Sequence, residues 1–281
     1  MQCALPITEF ASGEVVPALG QGTWKMGLEA GRRNEELASI RLGVELGMTL
    51  IDTAEMYANG EAEKLVGEAV GAGRDNVFLV TKVSPGNATR QGTIAACERS
   101  LRRLGTDRID LYLLHWRENI PVSETVEGFT ALLETGKIRY WGVSNFDLDE
   151  MEELTQFADG SAVSANQVMY NLNRRGIEFS LFPWCRSRRI LTMAYSPLDQ
   201  GRLTGSSRLA RLAARHGATP PQLALAWLLR QNSVIAIPKM SRREHVKTNR
   251  AAADLRLSVD DLAELDLAFP APSKKIPLET T

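Results

Sequence analysis

Cysteine is scarce in this chain, and its scarcity excludes several classes of protein. Cys3, Cys97 and Cys185 are too few and too scattered for a disulfide framework or a zinc cluster. No metal site is expected. Net charge is nearly absent, at −1, with lysines and arginines spread along the chain. That argues against nucleic acid or an anionic membrane as the main partner. Long hydrophobic runs are missing: none approaches the ~18 residues of a membrane-spanning helix. The opening "MQCALPITEF" has no basic segment followed by an apolar run, so no signal peptide is expected. The expectation is a soluble, cytoplasmic protein.

What the 281 residues do hold is a 44% apolar share, enough for a sizeable core. Short apolar runs alternate with amphipathic segments from end to end. The runs span 18–24, 49–54, 76–83, 109–116, 138–146, 162–168, 190–197 and 234–240. Between them, helices are expected. In 34–47, Leu37, Ile40 and Val44 form a stripe, with Asn34 as the cap and Gly47 as the stop. In 93–105, Ile94, Cys97, Leu101 and Leu104 recur at helical spacing before Gly105. Val126, Phe129 and Leu133 make a third stripe after Ser123, and Pro220-Pro221 opens another helix.

Strand–helix alternation implies parallel strands with helical crossovers. Eight such strands fit an α/β fold of the (β/α)8 TIM-barrel type, a single domain over residues 1–281. The competitor is an open doubly wound sheet, which would use a GxGxxG turn. The nearest candidate, "GQGTWK" at 20–25, has Lys25 in place of the third glycine. Ahead of the first run, "ITEFASGEVVPALG" reads as an N-terminal β-hairpin turning at Ser12-Gly13, placed to plug the barrel bottom. The short C-terminal tail "PAPSKKIPLETT" is expected to be irregular.

A barrel carries its reactive groups where strands end, at the C-terminal face. The runs end, in order, on Asp52 with Tyr57 just after, Lys82, His115-Trp116, Ser144-Asn145, Asn166-Gln167, Tyr195-Ser196 and Lys239. Each alone has a bland reading: an Asx turn, a solvated lysine, a structural histidine, a core aromatic. Their coincidence is what points to chemistry. Four ionisable groups would converge on one pocket. A phenol is too weak an acid at neutral pH, and a nearby ammonium lowers its pKa. Lys82 would play that part, Asp52 would hold Lys82, His115 would share a hydrogen bond at the substrate oxygen, and Tyr57 would be a general acid for a carbonyl. Trp24 and Trp116, with Trp184 a weaker candidate, would wall the substrate pocket. The loops after the fourth and seventh strands read as short, leaving it open to small or varied carbonyl compounds.

These residues resemble the Asp-Tyr-Lys-His tetrad of the aldo-keto reductase family. The motifs "LIDTAEMY", "LVTKV", "DLYLLHW", "GVSNF", "NQVMYN", "YSPL" and "IPK" continue the resemblance over about residues 5–270. The start "GEVVPALGQGTWKMG" looks most like bacterial members that reduce methylglyoxal. The resemblance implies an NAD(P)H-dependent reductase that passes a hydride from nicotinamide C4 to a small aldehyde or ketone. It assigns Ser144, Asn145 and Gln167 to the nicotinamide carboxamide and Tyr195 to stacking on the ring. It assigns Ser196, Leu198, Gly201 and Leu203 to the pyrophosphate path. Lys239 with Arg242 or Arg243 would meet the adenosine 2′-phosphate, and Asn249 the adenine. Two positions depart from the pattern of NADPH-preferring members: Met240 replaces serine and His245 replaces arginine. With Arg242 and Arg243 to compensate, NADPH remains the expected cofactor, with NADH possible. The expected partner is a small-molecule carbonyl substrate, and the expected state is a monomer. Two other functions compete: a lyase using Lys82 as a Schiff-base nucleophile, and a non-catalytic nicotinamide-binding subunit.

Overall fold

The computed structural model describes residues 4–280; Cys3 lies outside them. Among the described residues, ten strands occur in chain order: β1 (Ile7–Glu9), β2 (Val15–Pro17), β3 (Gln21–Gly22), β4 (Leu50–Asp52), β5 (Phe78–Val83), β6 (Ile109–Leu114), β7 (Ile138–Ser144), β8 (Ala165–Met169), β9 (Leu191–Tyr195) and β10 (Val234–Ala236). The α-helices among the described residues are α1 (Arg33–Glu45), α2 (Glu61–Val70), α3 (Arg90–Leu104), α4 (Val122–Glu134), α5 (Leu148–Leu154), α6 (Leu181–Ser187), α7 (Ser207–Arg215), α8 (Pro220–Leu229), α9 (Arg243–Ala251) and α10 (Val259–Ala268). Strands β3 to β10 pair in parallel in sequence order, one for each apolar run. The sheet closes: Leu19 bridges Ala236 and Gly22 bridges Lys239. Closure is tight enough that a Cβ on Gly22 would sit 2.7 Å from the Ile237 carbonyl oxygen. The fold is a (β/α)8 barrel.

Alternation along the strands divides the core in two. Leu50, Phe78, Val80, Leu111, Leu113, Ala165, Leu191, Met193, Ile235 and Ile237 fill the barrel interior. Ile51, Leu79, Val83, Tyr112, Leu114 and Val143 pack outward against the helices. Both faces are buried, which is why the runs read as nearly continuous hydrophobic sequence. The hairpin β1–β2 plugs the N-terminal end as expected. Phe10 is buried and stacks on Phe78 and Tyr140, with ring centroids 5.4 and 4.6 Å away.

Several local expectations need correction. Asn34 does not cap α1: a 3-10 turn over Ala30–Arg32 precedes it, and Arg32 occupies the N-cap. Helix α3 begins at Arg90, where the Thr89 hydroxyl accepts from the Gly92 amide, a cap outside the apolar stripe. In α4 the buried partner of Val126 and Phe129 is Leu132, with Leu133 at the margin. The segment after the seventh barrel strand, β9, is not short. It carries a 3-10 turn (Asp199–Gly205) and the extra helix α7 before α8 covers the barrel. The tail is irregular and is tied down through Lys275, whose ammonium lies 2.9 Å from Asp149. No helix among the described residues is long and apolar enough to cross a membrane.

Candidate active site

The strand period builds the site. In β4, Leu50 faces the interior, so Asp52, two residues on, does too. Val80 places Lys82, Leu113 places His115, Ala165 places Gln167, and Met193 places Tyr195 by the same rule. Each polar group is the next inward position above an apolar layer, at the C-terminal mouth.

Lys82 is fully enclosed, at 0% exposure. Its ammonium donates to both carboxylate oxygens of Asp52, at 2.9 and 2.8 Å, and to the Thr53 carbonyl at 2.8 Å. The Tyr57 hydroxyl lies 3.4 Å from the same nitrogen. The His115 ring meets Tyr57 edge-on, with centroids 5.6 Å apart. The tetrad is thus one contact cluster. The Tyr57 loop is braced by a residue that sequence reasoning passed over. Glu55 accepts from the Ser84 amide and from the Asn87 side chain, both at 2.8 Å, tying the loop after β4 to the loop after β5. Beyond Tyr57 the chain turns away through Ala58, Asn59 and Gly60, all at positive φ, into α2.

Electrostatics refine the expected roles. Burial alone would lower the Lys82 pKa, but Asp52 and Tyr57 more than offset it, and the net direction is up. A charged, enclosed lysine is the opposite of a Schiff-base nucleophile. Tyr57 does not follow expectation. Burial raises its pKa and outweighs the lowering by Lys82, while Asp52 pushes the same way as burial. The phenol therefore holds its proton through neutral pH, the state a general acid needs. His115 is pushed down to about 3, first by burial and then by the Lys82 charge. Its imidazole is neutral, and Nδ1 is enclosed without a hydrogen-bond partner.

This histidine makes stability depend on pH. The unfolded chain protonates it below about 6.5, the folded chain only near about 3. Between those values the unfolded state binds more protons, so stability falls as pH falls. From about pH 6.5 to about pH 5 the expected loss is about 2 kcal/mol. Urea unfolding of wild type and His115→Asn across that range checks this: the variant should lose that part of the slope. An equal slope would contradict it.

The residues expected to hold a nicotinamide carboxamide lie together, but their donors are engaged. Ser144 Oγ donates to the Gln167 carbonyl at 2.8 Å. Asn145, at φ 60°, donates to the His115 carbonyl at 3.2 Å and accepts from the Tyr195 hydroxyl at 2.8 Å. Gln167 Nε2 donates to Asp52 Oδ1 at 2.8 Å, joining Gln167 to the tetrad. A carboxamide held by these side chains would have to displace some of these contacts. In the segment after β9, Ser196 and Gly201 have positive φ and Leu198 is half-buried. Leu203 is 1% exposed and its side chain belongs to the outer core. Two further residues brace this segment: Asn171 donates to the Ser196 carbonyl at 2.9 Å, and the buried Asp199 accepts from Asn173 at 2.9 Å.

At the closure of the barrel, Lys239, Arg242, Arg243 and His245 are exposed, whereas Asn249 is buried. Met240 turns its side chain into the outer core. Beside Lys239 stand two cations that sequence reasoning did not assign, Lys25 and Arg32. Burial, then Arg32, Lys25 and Arg242 lower the Lys239 pKa, with Glu36 the one opposing charge. Such a gathering of cations suits a phosphate group. Trp24 is 40% exposed in the loop after β3, which Thr23 ties to the Asp52 carbonyl at 2.9 Å. Trp116 is half-buried, 4.8 Å from the His115 ring. Trp184 lies on α6 and packs against the outer core.

Comparison with known proteins accords with this geometry. A profile of the aldo/keto reductase family matches residues 18–268. The chain belongs to the aldo/keto reductase family. Among curated relatives, methylglyoxal reductase YeaE of Escherichia coli (strain K12) is 50% identical over 276 residues, covering 96% of this chain and 97% of that protein. Glyoxal reductase of Bacillus subtilis (strain 168) is 33% identical, covering 91% of this chain and 90% of that protein. A crystal structure of an aldo/keto reductase from Klebsiella pneumoniae in complex with NADP and acetate superposes with a TM-score of 0.96 at 47% identity, covering 99% of this chain and 100% of that one. This aldo/keto reductase therefore shares its fold with a relative seen with a dinucleotide bound.

Proposed function

We propose that this aldo/keto reductase reduces small aldehydes and ketones, methylglyoxal among them, at the expense of NADPH. The observation that carries the reading is the joined cluster of Asp52, Tyr57, Lys82 and His115 above the barrel interior. The methylglyoxal and glyoxal reductases among its relatives support the substrate class. The Klebsiella structure with NADP supports the cofactor, as does the fit of a phosphate to the cations around Lys239.

The chemistry divides between cofactor and protein. Bound NADPH supplies a hydride from nicotinamide C4 to the carbonyl carbon. Tyr57 supplies the proton to the carbonyl oxygen, which becomes a hydroxyl. As the phenol gives up that proton, negative charge grows on its oxygen. The Lys82 ammonium, 3.4 Å away and fixed by Asp52, stabilises that charge in a low-dielectric setting. His115, kept neutral by burial, orients the carbonyl oxygen through a ring N–H without competing for the Tyr57 proton. Ser144, Asn145 and Gln167 hold the carboxamide and so fix which ring face is presented. Tyr195 stacks on the ring. Ser196, Leu198, Gly201 and the Leu203 backbone follow the pyrophosphate. Lys239, Arg242 and Arg243 meet the 2′-phosphate, and Asn249 the adenine. Trp24 and Trp116 form apolar walls around a small carbonyl compound.

The test is loss of NADPH absorbance with methylglyoxal and a panel of aldehydes and ketones, repeated with NADH. Turnover with NADPH, weaker with NADH, is the expected outcome. Comparable rates would mean that Met240 and His245 relax the choice of nucleotide. Binding without turnover of any carbonyl would contradict the enzyme reading and favour a regulatory subunit.

A further inference from the structure

We propose that Arg32, from the loop entering α1, supplies the guanidinium that reads the adenosine 2′-phosphate. The inference rests on the NADPH reading and assigns a specificity residue within it. On α9, the position where an arginine is expected holds His245, and an imidazole is a poorer phosphate ligand than a planar guanidinium. Met240 offers no hydroxyl and is buried at 1% exposure.

Barrel closure sets it up. The bridge between Gly22 and Lys239 brings the loop after β3 against the loop after β10, and α1 packs on α9. Arg32 Nη2 then donates to Ser241 Oγ at 3.0 Å, across 209 residues of sequence. Ser241 is 4% exposed and keeps its own hydroxyl proton for a further acceptor. Arg32 keeps its remaining guanidinium donors, apart from a loose 3.9 Å approach to the exposed Glu29.

The local charge is unbalanced. Arg32 and Arg242 occupy the N-caps of α1 and α9, where the helix dipoles favour anions over cations. Lys25 and Lys239 add to them. Of the carboxylates nearby, Glu36 is 2% exposed and accepts from the Gly27 amide at 2.9 Å, while Glu29, Glu35 and Glu244 are exposed to solvent. These cations repel one another in the free protein. A phosphate monoester relieves that repulsion and gains charge-assisted hydrogen bonds.

Calorimetric titration of 2′,5′-ADP and 5′-AMP into wild type, Arg32→Ala, Arg32→Lys and Lys239→Ala tests the assignment. Arg32→Ala should weaken 2′,5′-ADP by about 10- to 100-fold, and leave 5′-AMP unchanged. Arg32→Lys should recover part of the loss, keeping the charge without the fork. The thermal midpoint of free Arg32→Ala should match or exceed wild type, since a repelled cation has gone. The inference is overturned if Arg32→Ala binds 2′,5′-ADP like wild type while Lys239→Ala does not. It is also overturned if Arg32→Ala loses both nucleotides alike, which marks a structural role. A wild type with no preference for 2′,5′-ADP would sink the NADPH reading, and this assignment with it.

Discussion

Tyr57→Phe should bind NADPH as wild type does and lose turnover by about 100- to 10,000-fold. The substitution removes one oxygen. The ring stays in its edge contact with His115 and beneath the Lys82 ammonium, 4.9 Å from the ring centroid. Packing is therefore kept, and the proton donor is what goes. Lys82 retains Asp52 and the Thr53 carbonyl, so no buried charge is stranded. Nucleotide affinity by fluorescence and steady-state rates with methylglyoxal separate the two effects. A variant that turns over at near wild-type rate would mean that another group delivers the proton.

Asp52→Ala should damage both stability and activity. It leaves a fully enclosed ammonium with one carbonyl and a 3.4 Å phenol for partners. Breaking a buried ion pair from one side costs about 3–5 kcal/mol. It also frees the Gln167 amide that Asp52 accepts. The double variant Asp52→Leu with Lys82→Met replaces the pair by apolar groups of similar volume. It should unfold at higher urea than Asp52→Ala, because no charge is stranded. Both variants should be nearly inactive, since neither keeps an ammonium beside Tyr57 held by a carboxylate. A double variant that is no more stable than the single one would contradict the electrostatic origin of the loss. An active double variant would contradict the part given to Lys82.

Much of this was legible in the sequence because the barrel is periodic. Eight apolar runs became β3 to β10 in order. Asp52, Lys82 and His115 were legible as the polar ends of those runs, because a barrel gathers its strand ends at one face. A plug at the barrel bottom followed from a short hairpin ahead of the first run; that Phe10 supplies it came only with the structure. The failures have a common cause. The direction of the Tyr57 shift depends on the balance between burial and the Lys82 charge, and burial is a property of the assembled fold. The engagement of Gln167 by Asp52 and of Arg32 by Ser241 joins residues 115 and 209 positions apart. No local pattern carries such pairs. Arg32 displaced Asn34 as the cap because a 3-10 turn precedes α1, and nothing in that stretch announces the turn.

One measurement bears most directly on Tyr57 as the acid in an NADPH-dependent reduction. Enzyme preloaded with NADPH is mixed rapidly with excess methylglyoxal, and nucleotide absorbance is followed through a single turnover for wild type and Tyr57→Phe. Wild type should oxidise its bound NADPH in a fast phase, while the variant holds the same nucleotide and oxidises it at least about 100-fold more slowly. Equal fast phases, or a wild type that holds NADPH unchanged in the presence of the carbonyl compound, would contradict it.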